Sequence, residues 1–183
     1  MEWEDIIHQG TAKDGRKYSI RHIHWSDLDQ LLDFINSLVE AKAEIARIAP
    51  VTREEEAEWL KHTIEEEEKG HVRHYLTEMD HKVIGNAQLD RGRPELGQPH
   101  VAILGIALRP GYWDLGIGST LMKEMIEDAR RWGIKIVVLD AFAINKRAIH
   151  VYEKTGFRAV GIVPKAFLRD ERYIDEVRMI LEL

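Results

Sequence analysis

Residues 100–131 have the sequence HVAILGIALRPGYWDLGIGSTLMKEMIEDARR, and they carry the strongest signals for the central elements of the fold. Its first part, residues 101–108, is apolar with little polar alternation, which is typical of a strand buried on both faces. Arg109-Pro110-Gly111 ends that strand. Beyond Gly116 and Gly118 the apolar residues recur at helical spacing. We therefore expect an amphipathic helix with its apolar face at residues 121, 122, 125, 126 and 129.

The turn between this strand and this helix predicts a site for anionic groups. Glycines let the backbone approach a ligand closely, and the first helical N–H groups have no partner within the helix. The helix dipole adds a partial positive charge at the same place. A tight turn without any ligand would contain the same glycines. Two common phosphate loops do not fit, because Leu121 stands where the dinucleotide fingerprint needs a third glycine and Ser119 stands where the P-loop needs lysine.

The composition limits the class of protein. A chain of 183 residues with 44% hydrophobic content suits one domain. No apolar run has transmembrane length and residues 1–4 show no signal-peptide pattern, so we expect a cytoplasmic protein that does not bind a membrane. The absence of cysteine excludes disulfides, thiolate metal sites and a cysteine nucleophile. A net charge of −6 argues against nucleic acid as a partner. We expect no metal, because the nine histidines show no ligand spacing.

The remaining elements follow from local signals. Asp14-Gly15 between two strand-like runs predicts a hairpin. Ser26-Asp27 and the capping box Thr52-x-x-Glu55 predict the starts of two helices. A third helix is expected at residues 145–155, a turn at residues 168–173, and strands at residues 71–79, 82–89, 134–139, 157–167 and 174–181. This order predicts a mixed α/β sheet with helices on both faces.

The acidic run at residues 65–68 allows two interpretations. It is either a solvated helical face, or the lining of a site for an amine or a basic peptide.

Two segments together resemble the GCN5-related N-acetyltransferase (GNAT) family. Residues 113–118, WDLGIG, are similar to its acyl-CoA-binding motif Arg/Gln-x-x-Gly-x-Gly/Ala, although Trp113 stands where Arg or Gln is most often found. Asp114 would repel a pyrophosphate, so we expect its side chain to point to solvent. Residues 143–157, AINKRAIHVYEKTGF, are similar to the family's segment Asn-x-x-Ala-x-x-Leu-Tyr-x-x-x-Gly-Phe, with Val151 in place of Leu.

The resemblance, which covers residues 17–183, implies a fold and a set of cofactor contacts. The fold is a mostly antiparallel central sheet with a splay between two central strands and helices on both faces. One N-acetyltransferase domain would cover residues 1–183, with an N-terminal strand extension at 1–16, acceptor-side helices at 26–69 and an acetyl-CoA-binding core at 100–168. Gly105 is the expected site of a strand bulge. The cofactor contacts implied by the resemblance are the backbones of Ile106, Ala107 and Leu108 for the pantetheine, those of Asp114, Leu115, Gly116, Ile117, Gly118 and Ser119 for the pyrophosphate, and Asn145 near the splay.

The same resemblance assigns the proton transfers. Tyr152 would be the general acid that protonates the leaving thiolate, although the spacing alone also fits a packing tyrosine. Asp140 would be the base, and a strand-end cap or a surface carboxylate is the alternative. Glu40, Glu44 or His74, acting through water, are further candidates for the base.

The implied function is acetyl-CoA-dependent N-acetylation of a primary amine, with acetyl-CoA as co-substrate. The acceptor would be a small amine, an amino acid or a protein N-terminus. The alternative is a non-catalytic acyl-CoA-binding sensor or scaffold of the same fold, and the substitutions Trp113 and Asp114 favour it. A homodimer stays open, because nothing in the sequence decides the oligomeric state.

Overall fold

The computed structural model describes residues 6–183, so the first five residues of the expected N-terminal extension lie outside the described part. Within that range the chain forms eight strands and four helices. The strands are β1 (Ile6–Thr11), β2 (Lys17–Arg21), β3 (Val72–Met79), β4 (Lys82–Arg91), β5 (Val101–Leu108), β6 (Ile136–Phe142), β7 (Arg158–Arg169) and β8 (Arg172–Glu182). The helices are α1 (Leu28–Glu40), α2 (Arg53–Glu68), α3 (Ile117–Arg131) and α4 (Lys146–Lys154).

All eight strands belong to one sheet in the order β1-β2-β3-β4-β5-β6-β8-β7. Every neighbouring pair is antiparallel except β5 and β6, which are parallel and are connected through α3. The predicted mixed sheet, mostly antiparallel with helices on both faces, is therefore confirmed. The inversion of β7 and β8 places β8 directly beside β6, which matters for the site described below.

Two hairpins close with two residues in the left-handed region. Asp80 and His81 join β3 to β4 with φ of 51° and 59°, and Asp170 and Glu171 join β7 to β8 with φ of 44° and 63°. Positive φ at both central residues is the geometry of a type I′ turn, whose twist matches that of the strands. The longer turn predicted at residues 168–173 is therefore wrong, because both strands continue to within two residues of each other.

The two helices that follow β2 begin in different ways. At α2 the predicted capping box is confirmed: Thr52 Oγ1 accepts from the Glu55 N–H at 3.2 Å, and the Glu55 carboxylate accepts from the Thr52 N–H at 3.0 Å. At α1 the predicted cap is wrong, because Asp27 makes no side-chain bond to the first turn. Its carboxylate instead accepts two hydrogen bonds from Arg21, at 2.8 and 2.9 Å, and fixes the end of β2.

A separate apolar core lies on each face of the sheet. The larger core packs α3 and α4 against the sheet and includes Leu121, Met125, Val137, Leu139 and Phe157. The smaller core packs α1 and α2 against the other face and includes Leu31, Phe34, Leu38, Leu60 and Leu76. Alternate residues of β6, namely Val137, Leu139 and Ala141, belong to the larger core. None of the helices in residues 6–183 is long and apolar enough to cross a membrane.

Candidate active site

Strands β5 and β6 separate in the middle of the sheet. Their parallel ladder joins Val101 to Ile136, Ala102 to Val137 and Ile103 to Val138, and it stops there. Beyond this point a cleft of about 860 Å³ opens, with residues 104–108 on one side and residues 139–142 on the other. The predicted splay between two central strands is therefore confirmed, and it leaves backbone N–H and C=O groups of both strands without a strand partner.

Gly105 does not form the expected bulge. The register between β4 and β5 runs without a shift from Arg91 opposite Ala102 to Gly85 opposite Leu108. The backbone groups that face the cleft are exposed because β6 diverges, and a bulge is not needed for this. A Cβ added at Gly105 would find only the Gln88 Cγ within 4 Å, at 3.6 Å, so the glycine leaves open space on the α1–α2 side of the sheet.

The glycine turn presents an uncapped helix end to the cleft. Gly116, the residue before α3, has φ of 86°, and no side chain caps the first turn. The N–H groups in the first turn of α3 have no partner within the helix, so they are available to an anion. Of the residues expected at the pyrophosphate, Asp114, Gly116, Gly118 and Ser119 line the cleft, whereas Leu115 and Ile117 face the larger core and Ile117 is fully buried.

Trp113 holds the turn against β5 and supports a cation. Its indole Nε1 donates to the carbonyl oxygen of Leu108 at 2.9 Å. The Arg147 guanidinium lies over the indole ring, 3.7 Å from the ring centre, and both residues line the cleft. Sequence reasoning missed Arg147. A signal existed, because Lys146 and Arg147 place two cations in the first turn of α4, where the helix dipole disfavours them unless an anion binds there.

Tyr152 lies on α4 and lines the cleft while its side chain is mostly buried, with 8% of the residue exposed. Burial raises its pKa to about 12. Among the described residues its hydroxyl has no hydrogen-bond partner, so its proton is free for a ligand. Asn145 also lines the cleft, where its Oδ1 caps α4 by accepting from the Ala148 N–H at 3.1 Å. The amide nitrogen of Asn145 remains available as a donor.

Asp140 lines the cleft, but both of its carboxylate oxygens are already bound. Arg178 on β8 lies opposite it in register and donates from Nε and Nη2, each at 2.8 Å. This pairing raises the pKa of Arg178. Both oxygens already accept from the guanidinium of Arg178, so the geometry does not favour Asp140 as the base.

The other candidate bases take different positions. Glu44 is exposed and lines the cleft, whereas Glu40 does not line it. His74 is fully buried beside the ring of Trp59, and neither of its ring nitrogens has a hydrogen-bond partner within residues 6–183. Burial lowers its pKa to about 4. His74 does not line the cleft either, so it does not contact a substrate there.

The α1–α2 side of the cleft is lined by apolar side chains from several parts of the chain. These are Phe34 and Leu38 of α1, Trp59 of α2, Ile45 of the segment between them, and the stacked rings of Phe142 and Phe167, whose centres are 4.1 Å apart. The segment between α1 and α2 is held against the β7–β8 hairpin by Lys42 and Asp170, 2.8 Å apart, and by Arg169, which donates to the Ile45 carbonyl oxygen.

The acidic run at residues 65–68 does not line the cleft. Glu66 instead pairs with Lys69 at 2.7 Å and His71 at 2.9 Å, and Glu67 lies 3.4 Å from His22. The pairing with Lys69 and His71 lowers the pKa of Glu66 to about 2. The interpretation as a charged helical face with local partners therefore fits the structure better than an acceptor lining.

Known proteins are similar to this chain in sequence and in fold. The sequence profile of the acetyltransferase (GNAT) family matches residues 32–157, which is more than half of the chain. The L-amino acid N-acetyltransferase AaaT of Escherichia coli (strain K12) is 36% identical over 103 residues, which cover 55% of this chain and 62% of that protein.

Solved structures extend the likeness to most of the chain. The ribosomal-protein-alanine N-acetyltransferase from Brucella melitensis has 27% sequence identity and a TM-score of 0.79, covering 90% of this chain and 99% of that one. The structure of yncA from Salmonella typhimurium with its cofactor acetyl-CoA has 22% identity and a TM-score of 0.79, covering 91% and 94%, and shows the same fold. The family resemblance predicted from the two motifs is confirmed: this chain belongs to the acetyltransferase (GNAT) family.

Proposed function

We propose that this protein transfers the acetyl group of acetyl-CoA to a primary amine. The observation that carries the proposal is the cleft between β5 and β6, which joins the uncapped start of α3 at Gly116 to the hydroxyl of Tyr152. Family membership supports the same donor and the same reaction. The yncA structure contains acetyl-CoA, and the amino-acid and ribosomal-protein enzymes are named as N-acetyltransferases.

Residues from both motifs, 113–118 and 143–157, would bind acetyl-CoA. The N–H groups at the start of α3 would bind the pyrophosphate. Trp113 stands where the motif most often has Arg or Gln and carries no charge, so Arg147 would supply a cation at this place. Backbone groups of residues 106–108, freed by the splay, would hydrogen-bond the pantetheine and polarise the thioester carbonyl. Most of the rate would come from holding amine and thioester in contact, because the reaction needs no covalent enzyme intermediate.

Tyr152 is proposed as the general acid. The amine nitrogen attacks the thioester carbon, and the C–S bond breaks when the tetrahedral intermediate collapses. The departing CoA sulfur then takes the proton of the Tyr152 hydroxyl. With a pKa of about 12 the phenol is protonated at neutral pH, so its proton is present when the thiolate forms.

The acceptor is proposed to be an amine with an apolar body. Phe34, Leu38, Trp59 and the Phe142–Phe167 stack surround the acceptor side, and the carboxylates of Glu44 and Glu176 also line the cleft. An L-amino acid, named in one relative, and an alanine of a ribosomal protein, named in another, both fit this description. Residues 26–69 as the acceptor side, residues 100–168 as the donor side, the cytoplasmic location and a homodimer all remain predictions.

The test has two stages. Calorimetric titration with acetyl-CoA should give micromolar binding, on the order of 8 kcal/mol, clearly tighter than binding of adenosine diphosphate. Free-thiol release would then be followed with an alkylamine, an apolar L-amino acid and a peptide with a free N-terminus. Release with any of them supports the transferase. Tight binding of acetyl-CoA without release from any amine would instead favour the sensor or scaffold.

A further inference from the structure

We infer that Glu176, and not Asp140, is the general base that takes the proton from the acceptor amine. This inference rests on the proposed function and names the missing catalytic group of the same site. It follows from the way the sheet arranges three charged residues around the mouth of the cleft.

Strand pairing puts these residues on one face of the sheet. Arg178 lies opposite Asp140, and Glu176 lies opposite Phe142, in the antiparallel ladder between β6 and β8. Residues two apart on a strand point to the same face, so Glu176 and Arg178 share the face that carries Asp140. That face looks toward α1 and α2, which is the acceptor side of the cleft.

The two carboxylates differ in what they bind. Both carboxylate oxygens of Asp140 accept hydrogen bonds from Arg178. Glu176 has no hydrogen bond and no ion pair among the residues that the structure describes, yet it lines the cleft and is half-buried. No side chain in residues 6–183 therefore competes with a substrate ammonium group for this carboxylate.

The surroundings of Glu176 also favour a base. Its pKa is raised, first by burial and then by the charge of Asp140, with Arg178 opposing. The β7 residue that pairs with it, Val163, carries no charge. Glu44 and Arg47 also line the cleft, and Arg169 stacks on Phe142. A base is most effective when its pKa lies nearer the working pH.

The proton balance is complete with these groups. Glu176 takes one proton from the acceptor ammonium, and the neutral nitrogen attacks the thioester carbon. The C–S bond breaks, and the sulfur takes the Tyr152 proton. The second proton leaves the nitrogen as the amide forms and returns to the Tyr152 oxygen. Glu176 then releases its proton to solvent, which leaves one amide, one CoA thiol and one released proton.

The experiment compares Glu176→Gln with Asp140→Asn and with Glu182→Gln, a matched control on the exposed end of β8. We expect Glu176→Gln to lower kcat/KM by about 100-fold at pH 7 and to abolish the acidic limb of its pH profile, with acetyl-CoA affinity changed less than about twofold. We expect Asp140→Asn to move that limb to lower pH, because a charge that raises the pKa of Glu176 is removed. Glu182→Gln should match the wild type.

Two outcomes would overturn the inference in distinguishable ways. In the first outcome the wild type is active, and either Glu176→Gln leaves its rate and pH profile unchanged or Asp140→Asn abolishes its activity instead. Glu176 is then not the base, and the proposed transferase activity still stands. A wild type that releases no thiol with any amine overturns the transferase, and the inference with it. Equal acetyl-CoA affinity of wild type and Glu176→Gln excludes misfolding as the reason for a lost rate.

Discussion

The guanidinium of Arg147 lies 3.7 Å from the centre of the Trp113 ring, and this contact joins the two motifs of the chain across the cleft. Trp113 is fixed in turn by its hydrogen bond to Leu108. The tryptophan that replaces the usual Arg or Gln of the acyl-CoA motif thus gives a flat platform to a cation from α4. Arginine suits both tasks, because its planar group stacks on aromatic rings and binds phosphate oxygens.

Changing Arg147 to Ala should therefore weaken acetyl-CoA binding. A charge-assisted hydrogen bond contributes about 1.5 to 3 kcal/mol, so we expect the Kd to rise at least about tenfold, measured by calorimetry. Lys146→Ala is the matched control, since it removes a cation from the same helical turn but from a side chain that does not line the cleft. Equal affinities for both variants would exclude a phosphate contact of Arg147.

Tyr152→Phe should separate catalysis from binding. The hydroxyl has no partner within the described residues, so its loss removes the proposed acid without disturbing a hydrogen bond in the fold. We expect kcat to fall about 100-fold while the Kd for acetyl-CoA stays within about twofold, measured by thiol release and calorimetry. A variant with full turnover would assign Tyr152 to packing against Phe157, with ring centres 6.2 Å apart.

Gly116→Ala should destabilise the turn before α3. Its φ of 86° lies in the left-handed region, which costs a residue with a Cβ about 1 to 2 kcal/mol. We expect that loss in the free energy of unfolding, measured with urea. Gly161→Ala is the control, because Gly161 has no positive φ and no atom within 4 Å of the added Cβ. An equal change in both variants would show that backbone strain at Gly116 is not the cause.

His74 should make the fold sensitive to acid. Its pKa is lowered from an ordinary value of 6.5 to about 4, chiefly by burial and against the raising charges of Glu67 and Asp27. The unfolded chain therefore binds a proton at a pH where the folded protein does not, so stability is complete above about pH 6.5 and falls as the pH drops toward 4.

His74→Leu is the variant that tests this sensitivity. We expect the free energy of unfolding of the wild type to fall, between pH 7.5 and pH 5, by about 2 kcal/mol more than that of His74→Leu, because the leucine has no proton to bind. Urea titrations at both values measure the difference. Parallel losses in the two proteins would show that His74 is not the group responsible.

Local signals predicted much of this molecule correctly. The Asp14-Gly15 hairpin, the Thr52-x-x-Glu55 capping box and the strand, turn and helix of residues 100–131 each depend on residues close together in the sequence. The expected burial of that strand on both faces was wrong, because one face carries the exposed Ile103, with 53% of its surface accessible. The turn at residues 168–173 and the bulge at Gly105 were wrong because strand register decided them. The β7–β8 pairing extends to Arg169 and Arg172, and the β4–β5 register has no shift.

Local sequence patterns were enough to predict the family, the order of the elements and the segments that form the cleft, because those depend on motifs and on the periodicity of nearby side chains. Which carboxylate in the cleft is free of an ion pair depends instead on contacts between distant strands. Arg178 and Asp140 are 38 residues apart, and they meet because β8 inserts between β6 and β7. That pairing occupies Asp140, whereas Glu176 has no partner among residues 6–183, and no local pattern encodes the pairing because it arises from strand order in the sheet.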